Sequence, residues 1–145
     1  MAFGGRGRLT VFVDTSALYA AVDTSDRHNG RAKEILAASR TLLTTDHVLV
    51  ESWLLVQRRL GRVAAEQVWA GIHAGGASVE PVRRGDLDTA WEIGHAFPDQ
   101  GFSIVDRTSF AVMGRLGITT AASYDTHFAI YRFGPRRERA FEVLA

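Results

Sequence analysis

Cysteine is absent from this 145-residue chain. Its absence excludes disulfides, thiolate metal sites and cysteine nucleophiles, and it fits a reducing, cytoplasmic compartment. Proline occurs only three times, too rarely for a proline-rich linker to divide the chain. No apolar run approaches the roughly 20 residues a membrane-spanning helix needs, so no membrane partner is expected. An excess of charge is missing as well: 17 basic residues face 16 acidic ones, net +1, and global charge does not announce a polyanion. Several motifs are also lacking. There is no GxxxxGK[ST], no glycine-rich loop after the first strand, no GxSxG and no HExxH, and the five histidines show no metal-ligand spacing. A nucleophilic-aspartate phosphatase would need a second Asp two residues after Asp14, where Ser16 stands.

What is present is an alternation of strand and helix signals. Residues 9–13 are short, apolar and β-branched, as in a buried parallel strand, and an alanine-rich helix follows over 17–22. Helices are expected over 29–39, from Thr45 or Asp46 to Leu60, over 63–73, 86–97 and from Ser103 to Leu116. Further strands are expected at 41–44, 79–82 (Pro81 arguing for a sheet edge), 118–122 and 141–144. The pattern predicts one α/β domain over 1–145, a parallel sheet flanked by helices, with residues 1–8 a frayed tail and not a signal peptide. The 48–60 helix is apolar nearly all round, which implies more than one buried face or a partner surface. Arg6 and Arg8 at one end, and Arg132, Arg136, Arg137 and Arg139 at the other, read as solvated surface, or as phosphate contacts should they flank the acids described next.

Asp14, Glu51, Asp106 and Asp125 each fall where a predicted strand ends or a predicted helix begins. In an α/β domain these positions share one edge of the sheet, where ligands bind. Singly, each acid has a bland account. Asp14 can cap a helix, Asp106 completes an [ST]-x-x-[DE] start with Ser103, and Asp125 can cap a loop. Glu51 lies among Val48, Leu49, Val50, Trp53 and Leu54 and calls for a partner, an arginine or a metal. Jointly they have no common structural explanation. Carboxylates crowded together repel unless a cation lies between them, and oxygen ligands suit Mg²⁺ or Mn²⁺. Asp99 is a fifth acid whose place in Pro-Asp-Gln-Gly is ordinary turn chemistry, and His127 is read as a surface or packing residue, with a phosphate contact as the alternative.

The blocks Val11-Phe12-Val13-Asp14-Thr15-Ser16-Ala17-Leu18, Thr45-Asp46-His47-Val48-Leu49-Val50-Glu51, Phe102-Ser103-Ile104-Val105-Asp106 with Ser109-Phe110-Ala111-Val112-Met113, and Tyr124-Asp125-Thr126-His127-Phe128 resemble, in order and spacing, those of PIN-domain ribonucleases. They look most like the VapC-type toxins of bacterial toxin–antitoxin pairs. The resemblance implies a three-layer α/β/α fold with a five-stranded parallel sheet. It implies a Mg²⁺ or Mn²⁺ site with Asp14 and Asp106 as the principal pair, Glu51 and Asp125 completing it, and Thr15 or Ser16 and Ser103 orienting the carboxylates. Structured RNA such as tRNA or rRNA is the implied substrate, cut to leave a 5′-phosphate and a 3′-hydroxyl. A cognate antitoxin and a second copy of the chain are the implied partners. The Gly134-Pro135-Arg136-Arg137 segment is not required by the family pattern. Two alternatives stand beside this: an RNA-processing nuclease of the same fold without an antitoxin, and a non-catalytic RNA- or protein-binding module.

Overall fold

The computed structural model describes residues 9–38 and 41–145. The expected tail with Arg6 and Arg8, and the expected end of the second helix at Ser39, lie outside the described residues. Strands β1 (Thr10–Val13), β2 (Thr41–Thr45), β3 (Ser78–Glu80), β4 (Thr120–Ala122) and β5 (Glu142–Leu144) form one parallel sheet in the order β3-β2-β1-β4-β5. Helices α1 (Thr15–Val22) and α2 (Asn29–Ala37) connect β1 to β2, and α3 (Asp46–Leu60) and α4 (Arg62–Gly71) connect β2 to β3. Helices α5 (Arg84–Ala96) and α6 (Ile104–Leu116) return from β3 to β4, and the short α7 (His127–Ile130) precedes β5.

The strand order reverses direction at β1. Right-handed crossovers therefore place α1–α4 on one face of the sheet and α5–α7 on the other, giving three layers. The gap between the ends of β1 and β4 is the topological switch point, where ligands of open α/β sheets bind.

Local signals explain most boundaries. Thr45 caps α3 by accepting from the Val48 amide at 3.1 Å, and Ser103 does the same for α6 with the Asp106 amide at 3.0 Å. Gly117 ends α6 in the left-handed region at φ 69°, which a side chain would resist. β3 lies at the sheet edge and stops at Glu80, directly before Pro81, which has no amide hydrogen to give.

Two cores hold the layers. The main one gathers Val11, Phe12 and Val13 of β1 with Val48, Phe110, Met113, Ala121 and Phe128. Its α6 side is aromatic: Phe110 stacks on Tyr131 at 4.3 Å and meets Phe128 edge-on at 4.9 Å. A smaller core of Tyr19, Val56 and Ala65 joins α1, α3 and α4. Burial of α3 decides between the two sequence expectations, a second buried face and a surface left for a partner. Val48, Ser52 and Val56 are buried, but Val50 and Leu54 are 58% and 52% exposed. The helix therefore has one buried stripe, and its second apolar face is open.

Candidate active site

The carboxyl-terminal ends of β1 and β4 bring Asp14 and Ser123 together. Asp14 is only 3% exposed, and its Oδ2 accepts from the Ser16 and Ser123 hydroxyls, each at 2.9 Å. Burial pushes the Asp14 carboxyl up from 3.8 to about 6; the two hydroxyls oppose that rise, and the nearby Asp106 charge adds to it.

Asp106 stands at the third position of α6, itself buried. Its Oδ2 accepts from the Ser103 amide at 3.0 Å and lies 2.8 Å from His127 Nδ1. The same nitrogen lies 3.3 Å from Asp125 Oδ1. Asp125 belongs to the loop after β4: its amide donates to Ser123 Oγ at 3.0 Å, and its Oδ1 accepts the His127 amide at 2.9 Å. Asp106, Asp125 and His127 thus place one ligand atom each within 4.8 Å of one another. Glu51, in the second turn of α3, accepts from the Thr15 hydroxyl at 2.6 Å.

A continuous chain of contacts therefore links all four acids. It runs from Glu51 through Thr15 to Asp14, then through Ser123 to Asp125, and through His127 to Asp106. The tightest group is Asp106, Asp125 and His127. Asp14 couples to Asp106 through its charge, and Glu51 joins through the Thr15 hydroxyl. Among the described residues no lysine or arginine makes an ion pair with any of the four. A groove of about 660 Å³ opens beside Glu51, walled by Thr15, His47, Glu51, Leu54, Arg58 and Val105.

Several particulars depart from the sequence reading. Glu51 is half-buried, and its partner is a hydroxyl, because the open face of α3 leaves it no deep burial to compensate. Ser103 orients Asp106 through its backbone amide, while its hydroxyl caps the helix. Ser123 escaped notice, although a serine ending the strand next to β1 was the available signal. His127, read as surface or packing, lies inside the acidic cluster. Three of the four C-terminal arginines make contacts away from the acids. Arg132 caps the carbonyls of Ala129, Ile130 and Tyr131, Arg137 lies over the Phe97 ring, and Arg139 lies over the Phe133 ring.

Buried acids at the switch point of a parallel sheet with this strand order define the class, and the PIN-domain model matches residues 11–134: the chain belongs to the PIN-domain family. The chain is 36% identical over 124 residues to the 23S rRNA-specific endonuclease VapC20 of Mycobacterium tuberculosis, covering 85% of this chain and 95% of the relative. The crystal structure of that protein, described as a sarcin–ricin loop cleaving toxin, superposes with a TM-score of 0.78 over 83% of this chain and 93% of its own. DNA-bound VapBC from Salmonella typhimurium is similar in fold, with a TM-score of 0.63 at 15% identity over 93% of this chain and 96% of the other. Among the described residues no helix is long and apolar enough to cross a membrane.

Proposed function

We propose that this protein is a Mg²⁺- or Mn²⁺-dependent endoribonuclease that hydrolyses a phosphodiester bond in structured RNA, and that it is the toxin of a type II toxin–antitoxin pair. The observation that carries the reading is the cluster of Asp106 and Asp125, with Asp14 joined to it through Ser123 and through its charge interaction with Asp106, and Glu51 alongside, without a lysine or arginine ion-pair partner among the described residues. Carboxylates left this way, two of them buried, fit a hard divalent cation, which oxygen donors suit. The 36% identity to a 23S rRNA-specific endonuclease makes ribosomal RNA the substrate to test first.

In this reading Asp14, Asp106 and Asp125 hold the ion, and Glu51 faces it from α3. A bound Mg²⁺ or Mn²⁺ supplies positive charge that offsets the carboxylates and the phosphodiester and makes water a stronger nucleophile. The rest falls to the chain's own side chains. Ser16 and Ser123 fix the rotamer of Asp14 by holding one of its oxygens. The Ser103 amide does the same for Asp106, and the Thr15 hydroxyl holds Glu51 at the wall of the groove. Burial excludes bulk water from Asp14 and strengthens every charge interaction there.

Protein partners have a surface available: Val50, Leu54, Val63 and Trp69 expose 58%, 52%, 74% and 50% of their area on α3 and α4. An antitoxin or a second copy of the chain would cover such a face. The test is to incubate the purified protein with ribosomes and with total RNA, in Mn²⁺ or in chelator, and to map new 5′ ends. A discrete cut that needs the ion and is silenced by a small protein encoded beside the gene supports the reading. RNA left intact in Mn²⁺ refutes it.

A further inference from the structure

The acidic centre contains a donor that is not an oxygen. His127 Nδ1 lies 2.8 Å from Asp106 Oδ2 and 3.3 Å from Asp125 Oδ1, so the imidazole is presented to both carboxylates by the same atom. Two neighbours hold it there. The Phe102 ring meets the imidazole edge-on, with centroids 5.2 Å apart and planes at 82°. The His127 amide donates to Asp125 Oδ1 at 2.9 Å, which ties that carboxylate to the turn that carries the ring. A hydrogen-bond clamp between two acids would need nothing more. The separations also suit something else. Ligand atoms about 2.1 Å from an octahedral ion lie about 3 Å apart along each edge, and both of these contacts fall near that value.

We propose that His127 ligates the divalent ion through Nδ1, together with Asp106 and Asp125, and that this nitrogen biases the centre toward Mn²⁺ and later first-row ions and away from Mg²⁺. The proposal rests on the reading of the acids as an ion site and adds a ligand to it. A change of tautomer suffices. Against a carboxylate Nδ1 carries the hydrogen; against an ion it offers its lone pair, and the hydrogen moves to Nε2. The side chain keeps 27% of its surface exposed, so water can accept from Nε2. Imidazole suits the later transition ions, whereas Mg²⁺ prefers oxygen alone.

The decisive readout is the electron-spin-echo spectrum of Mn²⁺ bound to the full chain, prepared with ordinary and with ¹⁵N-labelled histidine. Directly coordinated imidazole gives a nitrogen modulation that changes on labelling and is lost in His127→Asn and His127→Gln. Calorimetry should show the Co²⁺-to-Mg²⁺ affinity ratio falling at least about tenfold in both variants, as loss of a nitrogen ligand implies. Mn²⁺ bound with no histidine coupling overturns the proposal and leaves the carboxylate centre standing. Modulation that persists in both folded variants also overturns it, since another histidine would then be the source. Failure of Mn²⁺ to bind at all overturns the proposal and the ion-site reading together.

Discussion

Replacing Asp14 with asparagine should make the ion-free protein more stable while abolishing its activity. Asp14 is 3% exposed, and burial raises its carboxyl from 3.8 to about 6. A displacement of that size corresponds to about 3 kcal/mol held against the ionised folded state. The sign follows from proton binding. Between about pH 4 and pH 6 the folded chain holds the Asp14 proton more firmly than the unfolded chain does. Stability therefore falls as pH rises through that window, and the full penalty applies above it. Asparagine carries no charge and retains an oxygen that can accept from Ser16 and Ser123, but its amide nitrogen must be accommodated where a carboxylate oxygen stood. That offset leaves an expected net gain of roughly 1–3 kcal/mol, or about 3–10 °C in melting temperature for a chain of this size. The assay is thermal and urea unfolding of both proteins in chelator at pH 7.5 and at pH 4. The gain should be present at pH 7.5 and should shrink toward nothing at pH 4. Saturating Mn²⁺ should stabilise the parent protein and not the variant. A variant no more stable than its parent at pH 7.5, or a difference that ignores pH, would refute the claim that Asp14 is a buried charge its two hydroxyl partners compensate only in part.

Other outcomes are expected. Asp106→Asn should fold with an unchanged circular dichroism spectrum and lose RNA cleavage by well over a hundredfold, more than the loss of an outer-shell partner costs; a gel assay in Mn²⁺ checks this. Ser123→Ala removes a hydroxyl that donates to Asp14 and accepts from the Asp125 amide, and should lower cleavage about 10–100-fold without unfolding the chain. Arg115 forks onto Asp86 at 2.9 and 2.8 Å and reaches Glu80 at 2.8 Å, tying the far end of α6 to α5 and β3. Arg115→Met leaves buried Asp86 unpaired and should cost about 3 kcal/mol in urea unfolding, while activity per folded molecule stays the same.

The fold was legible because its signals are local. Leu9 to Val13 reads as a buried strand wherever it sits, and Ser103 with Asp106 spells a helix start from four adjacent residues, which the capping contacts match. Asp14 and Asp106 were legible as site candidates for the same reason: each is attached to a boundary that the sequence marks. The misses are tertiary. Whether Glu51 is buried depends on which face of α3 meets the sheet, and an all-round apolar helix does not say. His127 meets Asp106 across 21 positions, and Ser123 meets Asp14 across 109, so neither contact leaves a periodic trace. The four-residue α7 is too short to show a helical repeat.

The central claim is that the acids form a cradle for a divalent ion, and anomalous diffraction from a crystal grown with Mn²⁺ tests it most directly. The expected result is a manganese peak in contact with carboxylate oxygens of Asp14, Asp106 and Asp125. A crystal in which Mn²⁺ occupies no position near these residues, or in which Asp14 and Asp106 face away from each other, would contradict it.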